Sequence, residues 1–282
     1  MKLCAFLVDE HPCVGAKVGD GVVNITALGF PSLINDVIDG GTEMLSRISS
    51  ALADKKIPTL CEDDLKFLPV SVPQKIICTG LNYQAHADEL GVPALEFPVF
   101  FSKWGDSLAA HMEPVTLPPW LEEFDHEAEL VIVIGKPAYN ISPEKAREHI
   151  FGYACGNDLS ARKSQNLSGQ WLCGKAIPGF APVGPFVVTS DSFDLKEPHG
   201  VYCSLNGVVA QSGSTSDMIF SCDELVSTAS KFFPLSTGDL IFTGTPPGVI
   251  VGREPHERAW LKPGDVVDIT IDGIGTLRTP LI

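Results

Sequence analysis

Short apolar runs separated by glycine and proline turns make up most of the chain. Runs of about four to eight residues that are rich in Val, Ile and Phe are typical of β-strands, and the residues between them favour turns. Pro69 and Pro73 bracket a boundary, after which strand patterns dominate. The predicted strands are 4–8, 14–18, 21–24, 75–79, 98–101, 127–134, 183–188, 202–205, 240–243 and 266–271.

Helical patterns are fewer. Ser142 precedes Pro143, which is the order of a capping residue and a proline at the first helical position. Gly91 is placed to end a helical segment that contains His86. The predicted helical segments are 32–39, 41–55, 82–91, 142–150 and 223–230.

The length and composition are those of a globular protein. Hydrophobic residues make up 44% of the 282 residues, and the mean hydropathy of +0.16 does not fit a disordered chain. Many strands and few helices predict a β-rich α+β protein. We expect a small N-terminal α/β domain at 1–70 and a larger domain at 71–282.

Charge and cysteine usage restrict the partners. The formal net charge is −15, which argues against nucleic acid or an anionic membrane as the main partner. No apolar run is long enough for a transmembrane helix. The eight cysteines include no CxxC pair, and most lie in apolar surroundings. This pattern favours reduced, buried thiols in a cytosolic protein over a zinc site.

Three acidic residues form the first candidate site. Glu127 and Glu129 point to the same face of a strand because side chains alternate along it. Two neighbouring carboxylates repel each other, and without nearby His or Cys they suit a hard divalent cation such as Mg²⁺ or Mn²⁺. Asp158 follows an apolar, Gly-flanked run and is a plausible third ligand. The alternatives are a solvated acidic face for the glutamates and a helix cap for Asp158.

A histidine, a glutamate and a lysine are candidates for proton transfer and charge stabilisation. His86 and Glu89 lie three residues apart on one helical face, so the carboxylate can orient the imidazole. Lys175 lies in an apolar stretch, where it either faces a cleft and stabilises an enolate or extends to solvent. The alternative for His86 and Glu89 is a surface helix with incidental charges.

Three polar residues are candidates for substrate contacts. Arg162 and Gln165 lie about one helical turn apart and can hold a carboxylate or carbonyl. Thr245 lies in the tight loop 243–248 after a predicted strand, where it meets a ligand or only forms a turn.

Several segments, in a specific order, resemble the fumarylacetoacetate hydrolase family. The resemblance covers about residues 72–282. Its blocks are 76–91 (IICTGLNYQAHADELG), 124–136 (FDHEAELVIVIGK), 152–165 (GYACGNDLSARKSQ), 174–185 (GKAIPGFAPVGP), 206–207, 217–220 and 238–248 (GDLIFTGTPPG).

The resemblance implies a mixed β-roll or barrel, usually homodimeric, with one divalent metal, Mg²⁺ or Mn²⁺, in each subunit. It assigns the metal to Glu127, Glu129 and Asp158, water activation on a mobile lid to His86 and Glu89, enolate stabilisation to Lys175, and substrate contacts to Arg162, Gln165 and Thr245.

Two departures from the family pattern stand out. The family often has Lys-Ser-Phe-Asp-Thr-Phe where this chain has 175–180 as KAIPGF, so hydroxyls expected near the metal are missing. The position before the first metal glutamate is usually aromatic in the family, and in this chain it is His126. We expect His126 to face away from Glu127. The first departure affects the substrate more than the metal site.

These implications predict hydrolytic cleavage of a C–C bond in a small 1,3-dioxo or acylpyruvate-type 2-oxo acid. His86 would take a proton from water, while the metal and Lys175 would stabilise the enolate. Oxaloacetate decarboxylation, keto–enol isomerisation and sugar-acid dehydration use the same site without an attacking water, and the fold does not decide between them. A non-catalytic metal-binding scaffold is a further alternative, against which His86, Glu89 and Lys175 together argue.

Overall fold

The computed structural model consists mainly of β-sheet and describes residues 1–53, 57–93 and 95–282. The expected β-rich α+β class is confirmed. The strands are β1 Lys2–Val8, β2 His11–Val18, β3 Gly21–Asn24, β4 Leu60–Cys61, β5 Lys66–Leu68, β6 Ile76–Gly80, β7 Val99–Lys103, β8 Leu108–Ala109, β9 Phe124–Asp125, β10 Ala128–Ile134, β11 Ile150–Asn157, β12 Ser160–Ala161, β13 Ala181–Thr189, β14 Gly200–Leu205, β15 Val208–Ser214, β16 Leu240–Phe242, β17 Val266–Ile271 and β18 Gly275–Pro280.

The α-helices are short. The longest that the structure describes, α2, has Ile48 as its one buried residue, and its Met44, Leu45 and Leu52 are partly buried against the core. Within the described residues no helix is long and apolar enough to cross a membrane. The helices are α1 Ile34–Asp39, α2 Gly41–Leu52, α3 Gln84–Glu89, α4 Pro143–Ala146, α5 Arg162–Gln165, α6 Leu172–Lys175 and α7 Cys222–Phe232.

One predicted helix is shorter in the structure, and another extends beyond the described residues. The helix predicted over 142–150 is wrong beyond its first turn. Pro143 opens α4, but a 3₁₀ turn at Arg147–His149 follows, because Ile150 already begins the buried strand β11. The helix predicted over 41–55 corresponds to α2, and the last two residues of that prediction, 54 and 55, lie outside the described residues.

A large mixed sheet forms the centre of the fold. Its strands follow the order β4-β3-β2-β1-β13-β11-β10-β16-β6-β7, with β5 beside β1 and β8 beside β13. Most neighbours are antiparallel, whereas β16 and β6 are parallel. The central strands β10, β11 and β13 are buried along their whole length, so they appear in the sequence as continuous apolar runs rather than alternating ones.

The N-terminal segment extends this sheet instead of forming a separate one. Lys2 and Leu3 of β1 pair with Val188 and Val187 of β13 in antiparallel register. The boundary proposed near residue 70 remains a prediction, and the sheet runs without interruption across the two parts of the chain.

A second sheet covers one face of the large one. It has the order β15-β14-β17-β18, and its strands β14, β17 and β18 contact β10, β11 and β13. Leu130 and Ile132 of β10 pack with Val267, Ile269 and other apolar residues of the second sheet in a fully buried core. The small pair of β9 and β12 lies at the end of β10 and β11.

Antiparallel pairing of β10 with β11 brings the candidate acids together. Ala128 pairs with Asn157, and Glu129 pairs with Gly156. The start of β10 therefore lies beside the end of β11, and the chain passes from there directly to Asp158. The backbone N–H of Asp158 donates to the carbonyl of Glu127 at 3.0 Å and joins the two segments.

Gly152 tests the packing of the central sheet. A Cβ at Gly152 would lie 2.2 Å from the carbonyl oxygen of Val188, a backbone atom that has no freedom to rotate away. We expect Gly152→Ala to lower the free energy of unfolding by about 1–3 kcal/mol through overpacking. Urea-induced unfolding measures this value. Gly105→Ala is the control, since a Cβ there meets nothing within 4 Å; equal losses for both variants would contradict the close approach.

Candidate active site

The three predicted acids meet in the structure. One oxygen from each of Glu127, Glu129 and Asp158 lies within 4.8 Å of the others, and all three side chains are buried. Glu127 and Glu129 thus share one face, as the alternation along the strand predicts. The backbone fixes the arrangement further, because Glu127 N–H donates to Asn157 Oδ1 at 3.1 Å and Gly244 N–H donates to Glu129 Oε2 at 2.7 Å.

Lys175 lies between two of these acids. Its Nζ is 2.8 Å from Glu127 Oε2 and 2.9 Å from Asp158 Oδ2, and the side chain is buried. The lysine therefore points into the site and does not extend to solvent. Burial alone would lower the pKa of Lys175, but Asp158 and Glu127 outweigh burial and raise it, so the group is an ammonium.

Lys103 is a second buried lysine at the site, and sequence reasoning missed it. Its Nζ lies 2.7 Å from Asp158 Oδ1 and donates to the carbonyls of Leu159, Lys175 and Phe180. Three carbonyl acceptors require three N–H donors, so the amine is protonated even though burial lowers its pKa. The sequence signal that could have identified Lys103 is its position at the end of the apolar strand β7.

Arg162 is held mainly by other residues of the protein. Its Nε donates to Asp125 Oδ2 at 2.9 Å, its Nη1 donates to Gln165 Oε1 at 3.0 Å, and Nη2 lies 2.7 Å from Glu127 Oε1. Three of its five N–H groups are thus engaged, which leaves two for a ligand. Because Gln165 Oε1 accepts from Arg162, the amide N–H₂ of Gln165 is its group for contacting a ligand.

Asp125 anchors Arg162 and was also missed by sequence reasoning. Its carboxylate accepts from the N–H groups of His126, Ile250 and Val251 as well as from Arg162. Burial would raise the pKa of Asp125, but the Arg162 guanidinium, His126 and the backbone N–H groups together outweigh burial and hold it below its usual value. The carboxylate is therefore a fixed negative charge that orients the arginine.

His86 and Glu89 form the predicted dyad. His86 Nδ1 lies 3.0 Å from Glu89 Oε2, and Gly248 N–H donates to Glu89 Oε1 at 3.0 Å. His86 is 4% exposed, so the alternative of a solvated surface helix does not describe it. The carboxylate accepts from Nδ1–H, which leaves Nε2 as the ring nitrogen that can exchange a proton.

These groups line one cavity of about 220 Å³. Ligand cavities for drug-sized molecules span roughly 300–1,000 Å³, so this one suits a small substrate. Trp171 closes one wall, with its ring edge-on to Phe101 and against Gly80. The site residues that line the cavity are His86, Glu127, Arg162, Gln165, Lys175 and Thr245.

The acid triad fits a divalent cation. Burial, together with Asp158 and Glu127, raises the pKa of Glu129 well above its usual value, which shows how costly a third negative charge is here. Lys175 and Arg162 instead hold the pKa of Glu127 far below its usual value despite burial. Among the residues that the structure describes, no Lys or Arg lies within ion-pair distance of Glu129. A hard cation with oxygen ligands would offset this charge.

A buried acid triad, a histidine–glutamate dyad and a lysine thus lie at one cavity, which His86, Glu127 and Lys175 line directly. This combination is expected of an enzyme that stabilises an enolate. Residues 75–282 match the family model described as fumarylacetoacetate (FAA) hydrolase, C-terminal. The chain belongs to the fumarylacetoacetate hydrolase family, which confirms the resemblance seen in the sequence.

Curated relatives cover the whole chain. It is 37% identical to the oxaloacetate tautomerase fahd2, mitochondrial, of Xenopus laevis, over 100% of this chain and 90% of that protein. It is 38% identical to the oxaloacetate tautomerase FAHD2A, mitochondrial, of Homo sapiens, over 100% of this chain and 92% of that protein. Both relatives are named mitochondrial, which contradicts the cytosolic location expected from the cysteines. The pattern of reduced, buried cysteines was therefore not sufficient to predict the cellular compartment.

Solved structures share the fold. The fumarylacetoacetate hydrolase of Exiguobacterium antarcticum is 33% identical, with a TM-score of 0.88 over 100% of this chain and 99% of that one. A maleylpyruvate hydrolase of Sphingobium sp. SYK-6, solved with manganese(II) and pyruvate, is 28% identical, with a TM-score of 0.83 over 100% and 99% of the two chains. The family thus includes enzymes named for different reactions.

Glu129→Gln tests the acid triad. We expect this variant to weaken Mn²⁺ binding by about tenfold or more, because it removes a charged oxygen ligand while leaving the ion pairs of Lys175 in place. Isothermal titration calorimetry measures the affinity. Glu122→Gln is the control, since its side chain is 64% exposed. Equal Mn²⁺ affinity in the wild type and Glu129→Gln would contradict the assignment.

Proposed function

We propose that this protein is a divalent-metal-dependent keto–enol tautomerase for a small 2-oxo dicarboxylic acid of the oxaloacetate type. Keto–enol isomerisation is one of the alternatives that the sequence leaves open, and we prefer it to hydrolysis of a C–C bond. Mg²⁺ and Mn²⁺ both suit the oxygen ligands of the triad, and the manganese in a related structure supports a metal of this class.

One observation carries the proposal. A single proton-exchanging group, His86, lines the same small cavity as a buried ammonium, Lys175, and Glu127 of the acid triad. Tautomerisation needs only these parts, because it moves a proton between carbon and oxygen without breaking a carbon–carbon bond. Whole-length relatives named oxaloacetate tautomerases support the same reaction.

The cationic side chains suit an anionic substrate. Lys175 and Arg162 line the cavity, and Phe101 and Trp171 form part of its apolar wall. The amide N–H₂ of Gln165 adds a donor. These groups can bind and orient the carboxylates of a short diacid, and the aromatic walls exclude bulk water.

A divalent cation at the triad would supply Lewis acidity to the 2-oxo carboxylate unit. In the keto-to-enol direction, His86 Nε2 takes a proton from C3, the electron pair of that C–H bond forms the C2=C3 double bond, and the π pair of the carbonyl moves onto the C2 oxygen. Lys175 stabilises the negative charge there, and the protonated His86 gives its proton to the oxygen, which completes the enol and restores the neutral imidazole. Glu89 holds the imidazole in place and stabilises its protonated form. The reverse sequence returns the proton to C3.

A direct assay separates this reaction from the alternatives. Enol oxaloacetate, followed by its ultraviolet absorbance with Mg²⁺ or Mn²⁺ present, is expected to convert to the keto form faster with the protein than without it. Nuclear magnetic resonance is expected to show keto oxaloacetate and no catalysed formation of pyruvate. Catalysed pyruvate and CO₂ release would instead identify a decarboxylase. Cleavage of an acylpyruvate with no effect on the oxaloacetate enol would identify a hydrolase.

His86→Gln tests the proton transfer. We expect kcat for tautomerisation to fall by about 10²–10⁴-fold, since the general base is lost. Mn²⁺ affinity should stay unchanged, because His86 is not one of the triad ligands. Steady-state kinetics and calorimetry check the two values. The control is His256→Gln, whose side chain is 80% exposed. Undiminished turnover in His86→Gln would exclude the proposed role.

A further inference from the structure

Gln211 is an unusual residue for its strand. It is the single buried position of β15, all seven residues of which the structure describes, and it is 1% exposed. Val208 and Val209 on the same strand are largely exposed. A strand that buries its glutamine and exposes its valines reverses the usual preference, so the amide must have a specific role.

The amide of Gln211 uses its full hydrogen-bonding capacity. Oε1 accepts from Ala128 N–H at 2.9 Å and lies 3.1 Å from His126 Nδ1. Nε2 donates to Thr245 Oγ1 and to the Pro246 carbonyl, both at 2.8 Å. A backbone N–H only donates and a carbonyl only accepts, so Ala128 and Pro246 permit a single orientation of the amide.

This orientation decides what the Thr245 hydroxyl does. Because Nε2 of Gln211 can only donate, Thr245 Oγ1 must accept from it, and the hydroxyl hydrogen is directed elsewhere. Thr245 is 2% exposed and lines the cavity of the site. Its hydroxyl is therefore available as a donor to a ligand oxygen.

Close packing seats the loop around Thr245 on the same strand. A Cβ at Gly213 of β15 would lie 2.4 Å from Pro246 Cβ, and a Cβ at Gly248, which has φ of +105°, would lie 2.3 Å from the Ala210 carbonyl oxygen. Only glycine suits these two approaches. The second sheet thus supports the loop from behind while Gln211 orients its threonine.

We propose that Gln211 is a positioning residue that fixes the Thr245 hydroxyl as a hydrogen-bond donor to a carboxylate oxygen of the bound oxo acid. The proposal deepens the function proposed above, since it concerns how the same cavity holds its substrate. Gln211 does not line the cavity and acts through Thr245. The four-stranded sheet consequently contributes to substrate binding although none of its residues lines the cavity.

A double-mutant cycle on ligand binding tests the proposal without relying on turnover. The probe is pyruvate, titrated calorimetrically into protein saturated with Mn²⁺. Thr245→Val, which keeps the volume and removes the hydroxyl, is expected to weaken binding about tenfold, as for the loss of a hydrogen bond to a charged group. Gln211→Met is expected to weaken binding about fivefold in the wild type and by less than about twofold in Thr245→Val.

Equal fold-losses from Gln211→Met in both backgrounds would overturn the proposal, because a purely structural effect does not depend on the Thr245 hydroxyl. Ser212→Ala, at the exposed neighbouring position of β15, is the control and should leave affinity unchanged. If thermal melting shows that Gln211→Met is not folded, Gln211→Glu replaces it in the same double-mutant cycle. Equal fold-losses in both backgrounds would again overturn the proposal. Absence of oxaloacetate tautomerisation would refute the proposed function but leave this binding result intact.

Discussion

The balance of charge buried beneath the cavity is the constraint on which the site depends. Four carboxylates and three cationic side chains lie close together there, with a formal excess of one negative charge. Removing one partner of a buried ion pair typically costs about 3–5 kcal/mol, because the other charge is left uncompensated. The groups are Asp125, Glu127, Glu129, Asp158, Lys103, Lys175 and Arg162. A divalent cation would change the formal net charge of this group from −1 to +1, which would favour a dianionic acid as ligand.

The sheet explains how so many charges can be held in place. Pairing of β10 with β11 sets the two glutamates beside Asp158, and β7 supplies Lys103 to the same point. Lys103 also donates to the carbonyls of Lys175 and Phe180, so one buried ammonium holds both an acid of the triad and the backbone of the second lysine. The catalytic groups thus rest on strands and on each other, and not on loops alone.

Sequence reasoning found the residues whose signal is local. Glu127 and Glu129 stand out because charges at alternate positions interrupt an apolar strand, and His86 with Glu89 because three residues separate them on a helix. Lys103, Asp125 and Gln211 were missed because each acts on partners far along the chain, such as Lys103 on Asp158 and Gln211 on Thr245. For the same reason β15 was not predicted, since its buried face carries an amide.

The reaction is decided by features outside the acid triad. Every chemistry considered for this family passes through a stabilised enolate, so the triad and Lys175 serve all of them equally. Hydrolysis also requires a water that is held beside His86 together with the substrate. The segment after Lys175 has Ala176 and Gly179 where the family often has serine and threonine, so it offers no hydroxyl to hold that water. A proton transfer within the bound diacid needs no attacking water, which is the physical reason for preferring tautomerisation.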